Sequence, residues 1–138
     1  MQSTTLRRNI FQRLFGICAT KQPSDEGCWT FKNGKIVVDL ARVPELVRVN
    51  GAIRLEAKNL PERILVIQGD DGQYNAFQNR CTHAKRRLDP MPGAQQVQCC
   101  SIMKSIFDYK GKYVSGPAKG DIQIYPVIVD NGKLVITL

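Results

Sequence analysis

Residues 81–108 read CTHAKRRLDPMPGAQQVQCCSIMKSIFD and contain two short cysteine-bearing loops. The first loop carries Cys81 and His83 as a C-x-H pair, and sixteen residues separate this pair from Cys100. Phe107 stands seven positions after Cys100 and closes the second loop. This spacing allows the two loops to hold their side chains at a common tip.

Further motifs surround the loops. Residues 74–83 read YNAFQNRCTH, residues 115–118 read SGPA, and two β-rich segments end the chain around a glycine turn. Together with the C-x-H pair and the spaced cysteine, these residues resemble the Rieske [2Fe-2S] family, whose second loop reads C-x-x-H-G-x-x-F. The resemblance covers residues 50–138 in its specific part and residues 28–50 loosely. It implies an all-β Rieske-like iron–sulfur domain, a small sandwich or barrel with a two-loop cluster-binding subdomain.

The chain departs from the family pattern at three loop positions. Met103 stands at the second histidine position and Lys104 at the following glycine. Lys85 replaces the usual glycine of the first loop. A thioether is a poor substitute for imidazole on iron, and His83 is the only histidine in the chain.

The resemblance implies a [2Fe-2S] cluster with Cys81 and Cys100 on one iron and His83 on the other. Its fourth ligand stays open between Cys99, Met103, solvent and a residue of a partner. A thiolate from Cys99 would suit iron, but neighbouring side chains of a strand point to opposite faces. A loop conformation is therefore needed for both adjacent cysteines to act as ligands.

Other interpretations of the same residues stay open. Cys81 and Cys100 can pack as small hydrophobic residues or form a disulfide between the loops, and His83 can be a surface residue. The chain would then be a clusterless binding or structural module of a larger redox complex, similar to the small subunit of some nitrite reductases. Because three ligand-type residues remain, we favour an electron-transfer protein or subunit with an atypical ligand set.

Composition predicts one globular domain in a reducing compartment. The chain has 138 residues, enough for a single core. Its five cysteines are an odd set with one adjacent pair, which is not typical of a secreted disulfide scaffold. No apolar run approaches the roughly 20 residues that span a bilayer. We therefore expect a cytoplasmic protein.

Catalysis by the chain alone is not expected. The sequence has no paired carboxylates in a motif, no nucleophile elbow and no phosphate-binding glycine loop. We predict an electron-transfer component of an oxidoreductase system.

The formal net charge is +8. Four basic residues fall at the predicted loop tips, namely Lys85, Arg86, Arg87 and Lys104. A positive tip favours an acidic redox protein partner, because opposite charge steers association. No nucleic-acid motif is present, so nucleic-acid binding is not expected. The sequence does not indicate an oligomeric state.

Residues 1–20 predict a short basic amphipathic helix. Its apolar positions are Leu6, Ile10, Phe11, Leu14, Phe15 and Cys18. Polar residues interrupt the apolar segment that an export signal would need. We expect the helix to dock on its own domain, on a second subunit, or through residues 6–18 on an anionic membrane. Residues 21–27 predict a linker, and residues 28–138 predict the Rieske-like domain.

Short strands are predicted from Cys28 onward. Residues 29–31 and 36–38 predict a hairpin around Asn33-Gly34, a pair favoured in type I′ turns. Further predicted strands cover residues 53–57, 64–67, 74–77, 122–129 and 134–138.

Overall fold

The computed structural model describes residues 18–101 and 103–138. Apart from its last three residues, the helix predicted over residues 1–20 lies outside this part of the chain. Within the described ranges the fold is all-β, as predicted, with two short 3-10 turns at Glu26–Cys28 and Leu40–Arg42. None of the helical segments described is long and apolar enough to cross a membrane.

Three four-stranded antiparallel sheets make up the described structure. The strands are β1 (Trp29–Lys32), β2 (Lys35–Asp39), β3 (Ala52–Leu55), β4 (Ile64–Gln68), β5 (Tyr74–Gln78), β6 (Leu88–Met91), β7 (Gln96–Cys99), β8 (Ile106–Asp108), β9 (Tyr113–Ser115), β10 (Ile124–Tyr125), β11 (Val127–Asp130) and β12 (Lys133–Thr137). The strand orders are β1-β2-β12-β11, β10-β5-β4-β3 and β6-β7-β8-β9.

Strand β4 separates two hydrophobic cores. Its side chains alternate between them, with Ile64 and Val66 in the first core and Leu65 and Ile67 in the second. Because both faces of β4 are buried, its sequence is a continuous apolar run rather than an alternating one. The first core joins the first two sheets, and the second core lies beneath the third sheet and contains Cys81 and Cys99.

The first hairpin is confirmed. β1 and β2 pair antiparallel, and the turn residues Asn33 and Gly34 both have positive φ angles, 52° and 74°. Type I′ turns require this conformation at both central positions.

The single strand predicted over residues 122–129 is wrong. The structure splits it at Pro126 into β10, which pairs with β5, and β11, which pairs with β12. Proline has no backbone N–H to donate, so it favours a break where the chain changes sheets.

The predicted linker, residues 21–27, lies against the domain. The Lys21 carbonyl accepts a hydrogen bond from the Arg54 N–H at 3.0 Å. Further on, the Ser24 hydroxyl and N–H both contact the Glu45 carboxylate at 3.0 Å.

Glu56 ties the second sheet to the chain that enters the third. Its carboxylate accepts two hydrogen bonds from Arg87, at 2.6 and 2.8 Å, and one from Arg54 at 2.8 Å. Burial acts to raise the pKa of Glu56, but the two guanidinium groups outweigh burial and lower it to about 2. The ionised carboxylate is therefore the form that the fold stabilises.

We predict that Glu56→Gln lowers the free energy of unfolding at pH 7 by about 1–2 kcal/mol, as loss of a partly buried, charge-assisted contact does. Because the folded pKa lies below the usual 4.5, the contribution is complete above about pH 5 and is lost as the pH falls towards 2. Urea unfolding of the wild type and the variant should therefore converge at low pH. Glu62→Gln, which removes a more exposed partner of Arg80 at 3.6 Å, is the control. A pH-independent difference would contradict the assignment.

Candidate metal centre

The first loop closes on itself and turns Cys81 inward. The Lys85 N–H donates to the Cys81 carbonyl at 2.9 Å, and the Cys81 N–H donates to the Arg86 carbonyl at 2.8 Å. Lys85 adopts a φ of 59°, a conformation that glycine takes more easily. The Arg63 guanidinium donates to the Lys85 carbonyl and so supports this strained position. As a result Cys81 is fully buried, whereas His83 lies on the exposed side of the loop.

Several donors converge on the Cys81 sulfur. Cys99 packs beside Cys81 in the second core, and the backbone N–H of His83 lies 3.4 Å from the Cys81 Sγ. The Cys99 contact is the largest cause that lowers the pKa of Cys81 to about 5, with further hydrogen bonds from the backbone of His83 and Ala84 outweighing the effect of burial. The lowered pKa of Cys81 favours its thiolate, which is the form that binds metals.

Cys99 and Cys100 point to opposite faces. Cys99, the last residue of β7, lies in the second core beside Cys81. Cys100 lies on the other face, where its Sγ is 3.3 Å from Asp89 Oδ2 and close to Cys18. The structure therefore brings Cys81 together with Cys99, and not with Cys100, the residue that the family resemblance implies. The alternation of side chains along a strand continues through this pair.

Met103 lies at the surface of the second loop. Its side chain is 63% exposed, and its carbonyl accepts a hydrogen bond from the Ser101 hydroxyl at 2.9 Å. His83 is also exposed. The two positions predicted for the second iron thus supply one accessible imidazole and one accessible thioether.

The two loops are held together by backbone contacts. The Cys100 N–H donates to the Arg87 carbonyl at 2.9 Å and joins the start of the second loop to the end of the first. The Cys99 N–H donates to the Ser105 carbonyl at 2.9 Å and closes the second loop on itself.

The segment 115–118 packs where the two loops meet, a place called the loop junction below. A side chain at Gly116, whose φ is 95°, would collide with the Lys104 carbonyl and Ser105, so only glycine permits this close approach. The first loop is tied to the same region by the Thr82 hydroxyl, which donates to the Gly120 carbonyl at 2.8 Å.

The charged tip differs in one respect from the prediction. Lys85 is exposed, and Arg86 and Lys104 are partly exposed. Arg87 instead forms the ion pair with Glu56 at 2.6 Å. The charge of Arg87 is therefore paired with Glu56 inside the fold and does not belong to the tip.

The donor set fits the thiolate half of a mixed-ligand iron–sulfur site. Cys81 and Cys99 are buried in the same cluster of the second core, which suits two thiolates on one iron. The buried Ser105 hydroxyl has no hydrogen-bond partner among the described residues, and it lies near enough to Cys81 to act on the pKa of that thiol. Such a hydroxyl can donate to sulfur at the junction, the kind of outer contact that tunes iron–sulfur sites. The imidazole half has one donor, His83.

Sequence reasoning missed two residues of this region. Ser105 lies two positions before the buried Phe107, and that alternation is the signal that could have placed it inward. Asp89 lies in the segment LDPM, whose acid and proline favour a loop, yet it is fully buried in β6.

Comparison with known proteins supports one family. The model of the Rieske [2Fe-2S] domain matches residues 37–126, well over half of the chain. No curated protein matches. The chain resembles the plasma membrane Rieske protein PetC3 of Synechocystis PCC 6803, with 21% identity over 64% of this chain and 87% of that chain and a TM-score of 0.54.

Two further solved structures share the fold. The ferredoxin of carbazole 1,9a-dioxygenase from Nocardioides aromaticivorans IC177 is 17% identical over 73% of this chain and 93% of that chain, with a TM-score of 0.59. A ferredoxin in complex with the oxygenase of carbazole 1,9a-dioxygenase is 17% identical over 66% and 83%, with a TM-score of 0.55. At these identities the likeness concerns the fold.

We predict that mild oxidation of the metal-free protein with a small-molecule disulfide links Cys81 to Cys99, because a thiolate there faces a thiol. Cys100→Ser should keep this cross-link and Cys99→Ser should lose it, as read by tandem mass spectrometry after alkylation of the remaining thiols. The opposite pattern would show that Cys100, and not Cys99, faces Cys81.

Proposed function

We infer that this chain, which belongs to the Rieske [2Fe-2S] domain family, is an electron-transfer protein or subunit with an atypical ligand set. The observation that carries this proposal is the burial of Cys81 and Cys99 in one cluster where the two loops meet, with the Cys99 thiol lowering the pKa of Cys81. Two buried thiols side by side, one of them with a lowered pKa, are a donor pair that iron can use.

In this proposal Cys81 and Cys99 would hold one iron and His83 would hold the other. A [2Fe-2S] cluster, when bound, supplies one-electron transfer. The protein contributes the backbone N–H groups of His83 and Ala84 and the Ser105 hydroxyl, which stabilise negative charge on sulfur. In the segment 115–118, Gly116 packs against the backbone of Lys104 and Ser105. The exposed His83 marks the side from which an electron passes to a partner.

The fourth ligand of the cluster would come from the second loop, from solvent or from a partner. Cys100 faces away, so the choice lies between Met103, solvent and a residue supplied by a partner. The second candidate function, a clusterless module of a redox complex, is favoured by the exposure of Met103 and the absence of a second histidine.

The partner in this proposal is an acidic redox protein that meets the loop tip. Lys85, Arg86 and Lys104 support it, since a positive surface around the site steers an acidic surface towards it. A ferredoxin of the same fold has been captured with its oxygenase, which makes a protein partner a reasonable expectation for this chain.

We predict that anaerobically reconstituted protein contains two irons and two acid-labile sulfides per chain, the content of one [2Fe-2S] cluster. Cys99→Ala should abolish sulfide binding, whereas Cys100→Ala should retain it. Sulfide is the decisive readout, because iron can also bind adventitiously to free thiols. Loss in Cys100→Ala alone would assign the second thiolate to Cys100, and colourless wild-type protein would favour the clusterless module.

Met103→His should supply a second imidazole near the open position. We expect a more slowly lost cluster and a higher reduction potential, because neutral imidazoles raise the potential of such centres. Spectroelectrochemical titration measures the change. Lys110→His, at an exposed turn, is the control. Equal potentials in Met103→His and the wild type would show that residue 103 does not reach the iron.

Removal of tip charge should slow association with the partner. We expect Lys85→Gln/Arg86→Gln to lower the association rate roughly three- to tenfold at low ionic strength, with a smaller effect at high salt. Arg87 is left in place because it pairs with Glu56. Lys32→Gln/Lys35→Gln removes the same charge at the exposed β1–β2 hairpin. Equal effects of the two double variants would contradict a docking role for the tip.

A further inference from the structure

A second group of metal-binding side chains lies behind the loop junction. The Cys18 and Cys100 sulfurs and a carboxylate oxygen of Asp89 lie within 4.8 Å of one another. Cys100 and Asp89 are fully buried, and Cys18 is half-buried. They come from three separate segments of the chain, so the fold assembles them.

Asp89 organises this group. Its two carboxylate oxygens accept hydrogen bonds from the backbone N–H groups of Ala19 and Thr20, both at 2.8 Å. The Arg54 guanidinium donates to the Thr20 carbonyl at 3.0 Å and fixes the same segment. These contacts hold Cys18 over β6, next to Cys100.

Gln98 gives a second, independent observation. It pairs with Asp89 across β6 and β7, which puts the two side chains on the same face. Gln98 is fully buried, yet neither its amide oxygen nor its amide nitrogen has a hydrogen-bond partner among the described residues. A buried amide that lacks partners is costly, and a ligand at this place would satisfy it.

We propose that Cys18, Asp89 and Cys100 bind a divalent cation of the zinc type, with the fourth coordination position facing the Gln98 amide. Two thiolates bound to zinc at 2.3 Å in a tetrahedron are about 3.8 Å apart. The ligand atoms of Cys18, Asp89 and Cys100 lie within 4.8 Å of one another, so their spacing is compatible with such a site. Two sulfurs select zinc-like ions over magnesium or calcium.

Binding releases the two thiol protons, so one cation replaces two protons. Two thiolates, one carboxylate and a divalent cation leave one negative charge. Arg54 and Arg87 lie near the Cys18 thiol, and with the Glu56 carboxylate that they share they carry a net charge of +1, which offsets that charge. The bound ion would tie residue 18 to the third sheet and shares no ligand with the pair formed by Cys81 and Cys99.

The test uses the variant Cys81→Ser/Cys99→Ser, which removes the loop-junction thiols and so separates this site from the proposed function. Anaerobic titration with Co²⁺, followed by thiolate-to-cobalt charge-transfer absorption, should give one ion per chain that Zn²⁺ displaces. A further Cys18→Ser change should weaken binding at least about 100-fold, since outer contacts alone are worth about 10–100-fold. Cys28→Ser, at a buried thiol elsewhere, should leave binding unchanged.

A second measurement covers the case in which that variant does not fold. Zn²⁺ should raise the Tm of metal-free wild-type chain and of Cys28→Ser, and the increase should vanish in Cys18→Ser and in Asp89→Asn. The proposal would be overturned if Cys18→Ser left the cobalt charge-transfer absorption unchanged. It would also be overturned if Cys18→Ser left the zinc-induced increase in Tm unchanged.

Discussion

The chemistry of this domain depends on the alternation of side chains at the end of β7. Because β7 runs as a regular strand through Cys99, paired to β6 and β8, consecutive cysteines cannot share a face. Cys99 joins Cys81 in the second core, and Cys100 joins Asp89 behind it. One strand thus gives two adjacent thiols two separate environments, and a single shift of register would exchange them.

Electrostatics around the loops follow from this arrangement. On the core side, backbone N–H groups and a thiol stabilise the Cys81 thiolate, while Glu56 neutralises Arg87 at the base of the first loop. The remaining basic side chains face solvent at the tip. The fold therefore buries a sulfur with a lowered pKa beneath a surface that carries Lys85, Arg86 and Lys104.

Much of the fold was predictable from local spacing. The C-x-H pair, the following cysteine and the 115–118 segment are short motifs whose geometry is set within each loop. The orientation of Cys99 and Cys100 was not predictable in this way, because it depends on the pairing of Cys99 with Leu88 and on how far β7 extends. The strand β6 was missed because burial on both faces hides alternation and its sequence contains Asp89 and Pro90. The role of Arg87 was likewise set by Glu56, a residue distant in sequence.

The central claim is a cluster held by Cys81, Cys99 and one imidazole. His83 is the only histidine, so protein grown with ¹⁵N-histidine carries the label at that one residue. Pulsed electron paramagnetic resonance of the reconstituted, reduced protein should then show hyperfine coupling to ¹⁵N, which disappears in His83→Ala. A paramagnetic cluster without ¹⁵N coupling, or reduced protein with no cluster signal, would contradict the account.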